Sequence, residues 1–66
     1  MQITVNGQSR SIPERTTLAE LLDQLEVQSR HVAVEVNTEL VPRTVHARHQ
    51  LAEGDRLEVV TLVGGG

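Results

Sequence analysis

The chemistry available to this chain is narrow. Cysteine and lysine are both absent, and all six basic residues are arginine. Disulfides, thiolate metal ligands and a cysteine nucleophile are therefore excluded, as are a lysine Schiff base and an isopeptide built on the chain itself. What remains is the closing "LVGGG", where Gly64, Gly65 and Gly66 lead to the last carboxylate. Three extended glycines span about 10 Å, enough to carry a carboxylate into the active site of a neighbouring protein. The same run also reads as a frayed tail, because poly-glycine has no side chain with which to pack.

Other polar groups offer less. His46 and His49 stand three residues apart with His31 elsewhere, but no spacing sets a fourth ligand and Arg43 and Arg48 crowd the same stretch. They read as surface histidines, and no metal site is expected. Asn6-Gly7 and Asn37 read as turn residues. Arg43, after Pro42, either closes a turn or meets a partner.

Composition limits the partners. A 66-residue chain is one domain with a thin core, burying only about 60% of its unfolded surface. Phe, Tyr and Trp are all absent and the net charge is −3. Nucleic-acid binding, which draws on aromatic platforms and a basic groove, is not expected. No apolar run approaches the ~20 residues of a membrane span, and "MQITVNG" lacks a signal-like basic and apolar region. The expectation is a cytoplasmic protein.

The elements that must position the glycines follow from periodicity. In "MQITV", Met1, Ile3 and Val5 alternate with polar residues as in a half-buried strand, and Asn6-Gly7 is a strong type I′ hairpin signal. A polar second strand over residues 8–12 ends at Pro13. In "TTLAELLDQLE", Thr17 and Glu20 form a capping box, and Leu18, Leu21, Leu22 and Leu25 fall on one helical face. The opposite face carries Glu20, Asp23, Gln24 and Glu26. "HVAVEVN" returns to period two with Val32, Val34 and Val36 inward, "NTEL" reads as a turn, and a short irregular or helical piece is expected over residues 46–50. "AEGD" is a turn, and "RLEVVTLV" is a last strand running into the glycines.

That order predicts an α+β fold, a β-grasp with a mixed sheet of four to five strands and one main helix on one face. Residues 1–63 form the domain and residues 64–66 a flexible glycine tail. The last strand enters near the middle of the sheet. Leu57, Val59, Thr61 and Val63 share one side; Arg56, Glu58, Val60 and Leu62 share the other. Val60 and Leu62 are then candidates for a partner-binding face, although a central strand apolar on both sides has the same pattern.

The opening "ITVNG", the "TLAELLDQL" helix, "VAVEVNTELVPR", "LAEGDRLEVV" and the closing "VGGG" together resemble the ThiS family, the sulfur carriers of thiamine thiazole biosynthesis with a ubiquitin-like β-grasp fold. The short chain and the lack of an aromatic before the tail favour this family over the small subunit of molybdopterin synthase, which remains an alternative alongside a ubiquitin-like modifier and a non-covalent adaptor. The resemblance implies that Gly66 is adenylated and converted to a thiocarboxylate, with Gly64 and Gly65 as its arm. It also implies that the chain is a protein substrate without catalytic residues of its own. No bound cofactor is expected; ATP and Mg²⁺ belong to a ThiF-like adenylating enzyme. The other implied partners are a sulfur donor such as a cysteine desulfurase and a ThiG-like thiazole synthase, met by a carrier that is monomeric when free.

Overall fold

The computed structural model describes residues 1–62. Among the described residues five strands form one mixed sheet: β1 (Gln2–Val5), β2 (Gln8–Ser11), β3 (Val32–Val36), β4 (Glu39–Leu40) and β5 (Arg56–Thr61). Their order is β2-β1-β5-β3-β4, so the last strand is central. β1 and β5 run parallel, while β1 with β2, β3 with β4 and β3 with β5 are antiparallel. This is the β-grasp arrangement expected from the element order.

One α-helix, α1 (Leu18–Gln24), covers one face of the sheet. Leu18, Leu21 and Leu22 on it are buried, and the core also holds Ile3, Val34 and Leu57 from the three inner strands. Each such side chain contributes about 1.5–3 kcal/mol relative to exposure. The predicted capping box is present: the Thr17 hydroxyl accepts from the Glu20 amide at 3.2 Å, and the Glu20 carboxylate accepts from the Thr17 amide at 2.8 Å.

The helix stops earlier than its apolar pattern suggests. Leu25 is the C-cap and Glu26 takes a left-handed φ of 60°. The Glu26 amide donates to the Asp23 carbonyl at 3.0 Å and the Val27 amide to the Leu22 carbonyl at 3.1 Å. These two bonds define a Schellman stop, with glutamate where glycine is usual.

Two further segments depart from the sequence reading. Only Asn37 and Thr38 make the turn in "NTEL", both at positive φ, and Glu39–Leu40 pair with β3 as a short edge strand. The helical piece expected over residues 46–50 is a 3₁₀ segment at Arg43–Arg48, starting directly after Pro42. Residues 49–51 instead bridge back to the loop before the helix, through Leu18 N–H to the His49 carbonyl and Leu51 N–H to the Thr16 carbonyl.

Candidate functional site

β5 is the strand that leads to the glycines, and the surrounding bonds hold it from both sides. Even-numbered positions bond toward β3, and the bonds continue at both of its flanks: Asn37 N–H donates to the Arg56 carbonyl at 2.7 Å, and Leu62 N–H donates to the His31 carbonyl at 2.8 Å. Its odd-numbered residues face β1, where Asn6 N–H reaches the Leu57 carbonyl at 2.9 Å.

The two asparagines of the hairpin turns have a second task. β1 bends away at Asn6, whose φ is 50°, and the Asn6 side chain continues the ladder in its place. Its Oδ1 accepts from Val59 N–H at 2.8 Å, and its Nδ2 donates to the Val59 carbonyl at 3.2 Å. At the start of β5, Asn37 accepts from Arg56 N–H at 3.0 Å and donates to Asp55 at 2.9 Å. The half-turned loop is closed by Asp55, which is 9% exposed and also accepts from Ala52 N–H at 2.8 Å. A side-chain amide presents a donor and an acceptor, as a peptide group does, so the Asn6 side chain acts as a one-residue piece of strand, while Asn37 ties the first residue of β5 to the Asp55 carboxylate.

The sheet face away from α1 carries the exposed apolar groups. Val60 is 56% and Leu62 is 53% exposed, whereas Leu57 on the opposite side is 1% exposed. The period-two assignment of the two faces therefore holds at these positions. Leu40, which the sequence reading placed in a turn, is 66% exposed and joins the same face through its pairing with Glu35. Its signal was the continuation of alternation past Asn37-Thr38. Glu35 and Glu58 stand directly opposite one another on this face, an arrangement that costs stability because like charges repel across a ladder.

Gly64, Gly65 and Gly66, the residues with the strongest chemical claim, lie outside the described residues. Arg43 opens the 3₁₀ segment and lines a shallow hollow with Glu20, Asp23 and Arg30. His46 corrects the sequence reading: it is not a surface residue but only 3% exposed. Its Nε2 lies 3.0 Å from the Val41 carbonyl, to which the Nε2–H tautomer donates, and Nδ1 is buried without a hydrogen-bond partner among the described residues. The short 3₁₀ turn points this residue inward beside Val41. Among the described residues no cluster of three or more His, Cys, Asp or Glu is arranged to hold a metal, and no helix is long and apolar enough to cross a membrane.

Comparison with known proteins places this geometry. The model of the ThiS family matches residues 3–66. The chain belongs to the ThiS family. The Escherichia coli sulfur carrier protein ThiS is 33% identical over the full length of both chains. The crystal structure of a thiamine biosynthesis protein (ThiS) from Geobacter metallireducens superposes with a TM-score of 0.85 at 35% identity, again with complete coverage of both. A thiazole synthase from Paramagnetospirillum magneticum is 42% identical across all 66 residues, and there this ThiS-family chain spans 20% of the longer protein. Sequences similar to this chain thus occur both as a separate small protein and as a segment within a larger one.

Proposed function

We propose that this chain is a sulfur carrier whose Gly66 carboxylate is adenylated, converted to a thiocarboxylate, and used to donate sulfur for thiazole formation in thiamine biosynthesis. The observation that carries the reading is the family match extending through residue 66, which includes the glycine run rather than the globular part alone. The central position of β5, clamped by Asn6 and Asn37, supports it by giving the run a fixed base.

The chemistry assigns the reacting group to this chain and the catalysis to its partners. A Gly66 carboxylate oxygen attacks the α-phosphorus of ATP on a ThiF-like enzyme, and pyrophosphate leaves with Mg²⁺ balancing its charge. The outer sulfur of a persulfide, supplied through a donor such as a cysteine desulfurase, then attacks the acyl carbon as the bond to AMP breaks. A thiol cleaves the resulting acyl disulfide, forming a new disulfide and releasing the thiocarboxylate. Glycine suits this path because a chain without Cβ passes a narrow channel and leaves both faces of the carbonyl open to attack.

Delivery requires a grip on the domain as well as access to the tail. Val60 and Leu62 form that grip in this reading, since exposed apolar groups beside the reacting end carry more docking energy than charged rim residues. The same face serves the adenylating enzyme and a ThiG-like thiazole synthase in turn. The match to thiazole synthases favours thiazole formation over the molybdopterin pathway or protein modification. The carrier works as a cytoplasmic monomer in this scheme.

ATP–pyrophosphate exchange by the adenylating enzyme tests the first step. Exchange depends on the full chain and is abolished when Gly65 and Gly66 are deleted, while the melting temperature is retained. Undiminished exchange with the truncated chain refutes the proposal.

A further inference from the structure

The centre of the sheet has an opening in it. β1 pairs with β5 only at Thr4↔Arg56 and Val5↔Leu57, and the Asn6 side chain extends that contact as far as Val59. Thr61 is next in the same alternation. It sits opposite Val32 as a non-hydrogen-bonded pair, because the bonds to β3 come from the even-numbered residues such as Leu62. The N–H and C=O of Thr61 therefore point into the lane that β1 has left, and neither has a partner among the described residues.

A groove of about 280 Å³ lies along this lane. Val5, Val59, Leu25 and Val27 give it apolar walls, and the polar residues Asn6, Gln8, Ser9 and Arg10 of the β1–β2 hairpin line the rest together with Thr61. Three strand positions and the end of the helix thus meet where the ladder is incomplete. An unpaired donor and acceptor beside an apolar slot match one kind of occupant: an extended peptide, whose backbone completes the ladder and whose alternate side chains enter the slot.

We propose that this lane receives an extended segment of thiazole synthase, which adds to the free edge of β5 at Thr61. The partner is chosen from the comparisons, in which the whole chain is matched inside thiazole synthases, and this inference rests on the carrier reading above. The lane also meets a requirement of that reading. A glycine run offers a partner no side chains, so recognition must act through the backbone, and Thr61 supplies a free backbone donor and acceptor three residues before that run begins.

Thr61→Pro tests the lane because it removes the N–H that faces the opening and leaves the bonds between β5 and β3 in place. Binding of the full-length carrier, in its carboxylate form, to purified thiazole synthase is measured for wild type and variant, alongside their melting curves. Loss of one backbone bond predicts about tenfold weaker binding. Amide exchange on the wild-type carrier gives a reading that does not depend on how the variant folds: Thr61 N–H is unprotected in the free chain and slows on adding thiazole synthase. Equal affinities for a folded variant, an unchanged Thr61 exchange rate in the complex, or protection of Thr61 in the chain alone through self-association would each overturn the proposal. Failure of the carrier reading looks different, since wild type itself then neither binds thiazole synthase nor acquires sulfur.

Discussion

Replacing Asn6 with glycine separates the two tasks of that residue. Glycine adopts the φ of 50° found there without penalty, so the hairpin turn is kept while the side-chain clamp on Val59 is lost. The bonds removed are 2.8 and 3.2 Å long and solvent-exposed. Net values of about 0.5–1.5 kcal/mol apply to a typical bond, and exposure places this pair at the lower end. The expected loss is therefore about 1–2 kcal/mol in all, or roughly 4–8 °C of melting temperature for each kcal/mol in a domain of this size. Asn6→Asp keeps an acceptor for Val59 N–H but loses the donor to its carbonyl, so it should fall between wild type and Asn6→Gly. Thermal unfolding gives the stabilities, and amide exchange shows where they act. Val59 should lose more protection than Leu21, whose amide donates to the Thr17 carbonyl in α1, away from the clamp. An Asn6→Gly protein that melts within about 1 °C of wild type, with Val59 exchange unchanged, would refute the argument that the side chain substitutes for a strand.

Three further outcomes are expected. Thr38 is β-branched at a φ of 73°, so Thr38→Gly should stabilise the protein by about 1 kcal/mol in urea unfolding, and a loss of stability would show that the turn carries no strain. His46→Ala should cost about 2–3 kcal/mol in the same assay, from an emptied site and an orphaned Val41 carbonyl; a change under about 0.5 kcal/mol would mean the site is not closed. Leu62→Asp should leave stability within about 0.5 kcal/mol yet weaken docking to both the adenylating enzyme and thiazole synthase, whereas Asp23→Ala on the outer helix face should change neither; unchanged affinities for a folded Leu62→Asp chain would remove this face from the docking account.

The strands and their faces were legible because period two is a direct consequence of backbone geometry. Val32, Val34 and Val36 point inward, and Val60 and Leu62 outward, for that reason alone. The helix start was legible as well, since Thr17 and Glu20 announce it. Its end was not: Glu26 supports a left-handed stop that glycine normally marks, and the leucine stripe carries on to Leu25, which is already the C-cap. β4 was hidden because Thr38, a residue suited to strands, occupies the tighter half of the turn. His46 was misread because a 3₁₀ segment has no long periodicity to show which side is buried, and histidine is at home in either setting. Asn6 and Asn37 were recognised as turn formers, but their bonds to Val59 and Arg56 span 53 and 19 positions. Such contacts depend on how the strands are ordered, which local pattern does not encode.

Whether Gly66 carries the sulfur is decided most directly by tandem mass spectrometry of the C-terminal peptide. The full chain is incubated with the adenylating enzyme, Mg²⁺-ATP and the persulfide donor, then reduced with a thiol and fragmented. The account predicts a gain equal to the exchange of one oxygen for sulfur, confined to fragments that contain Gly66 and absent when ATP is withheld. A chain that stays at its original mass, or that carries the added sulfur on fragments lacking Gly66, would contradict it.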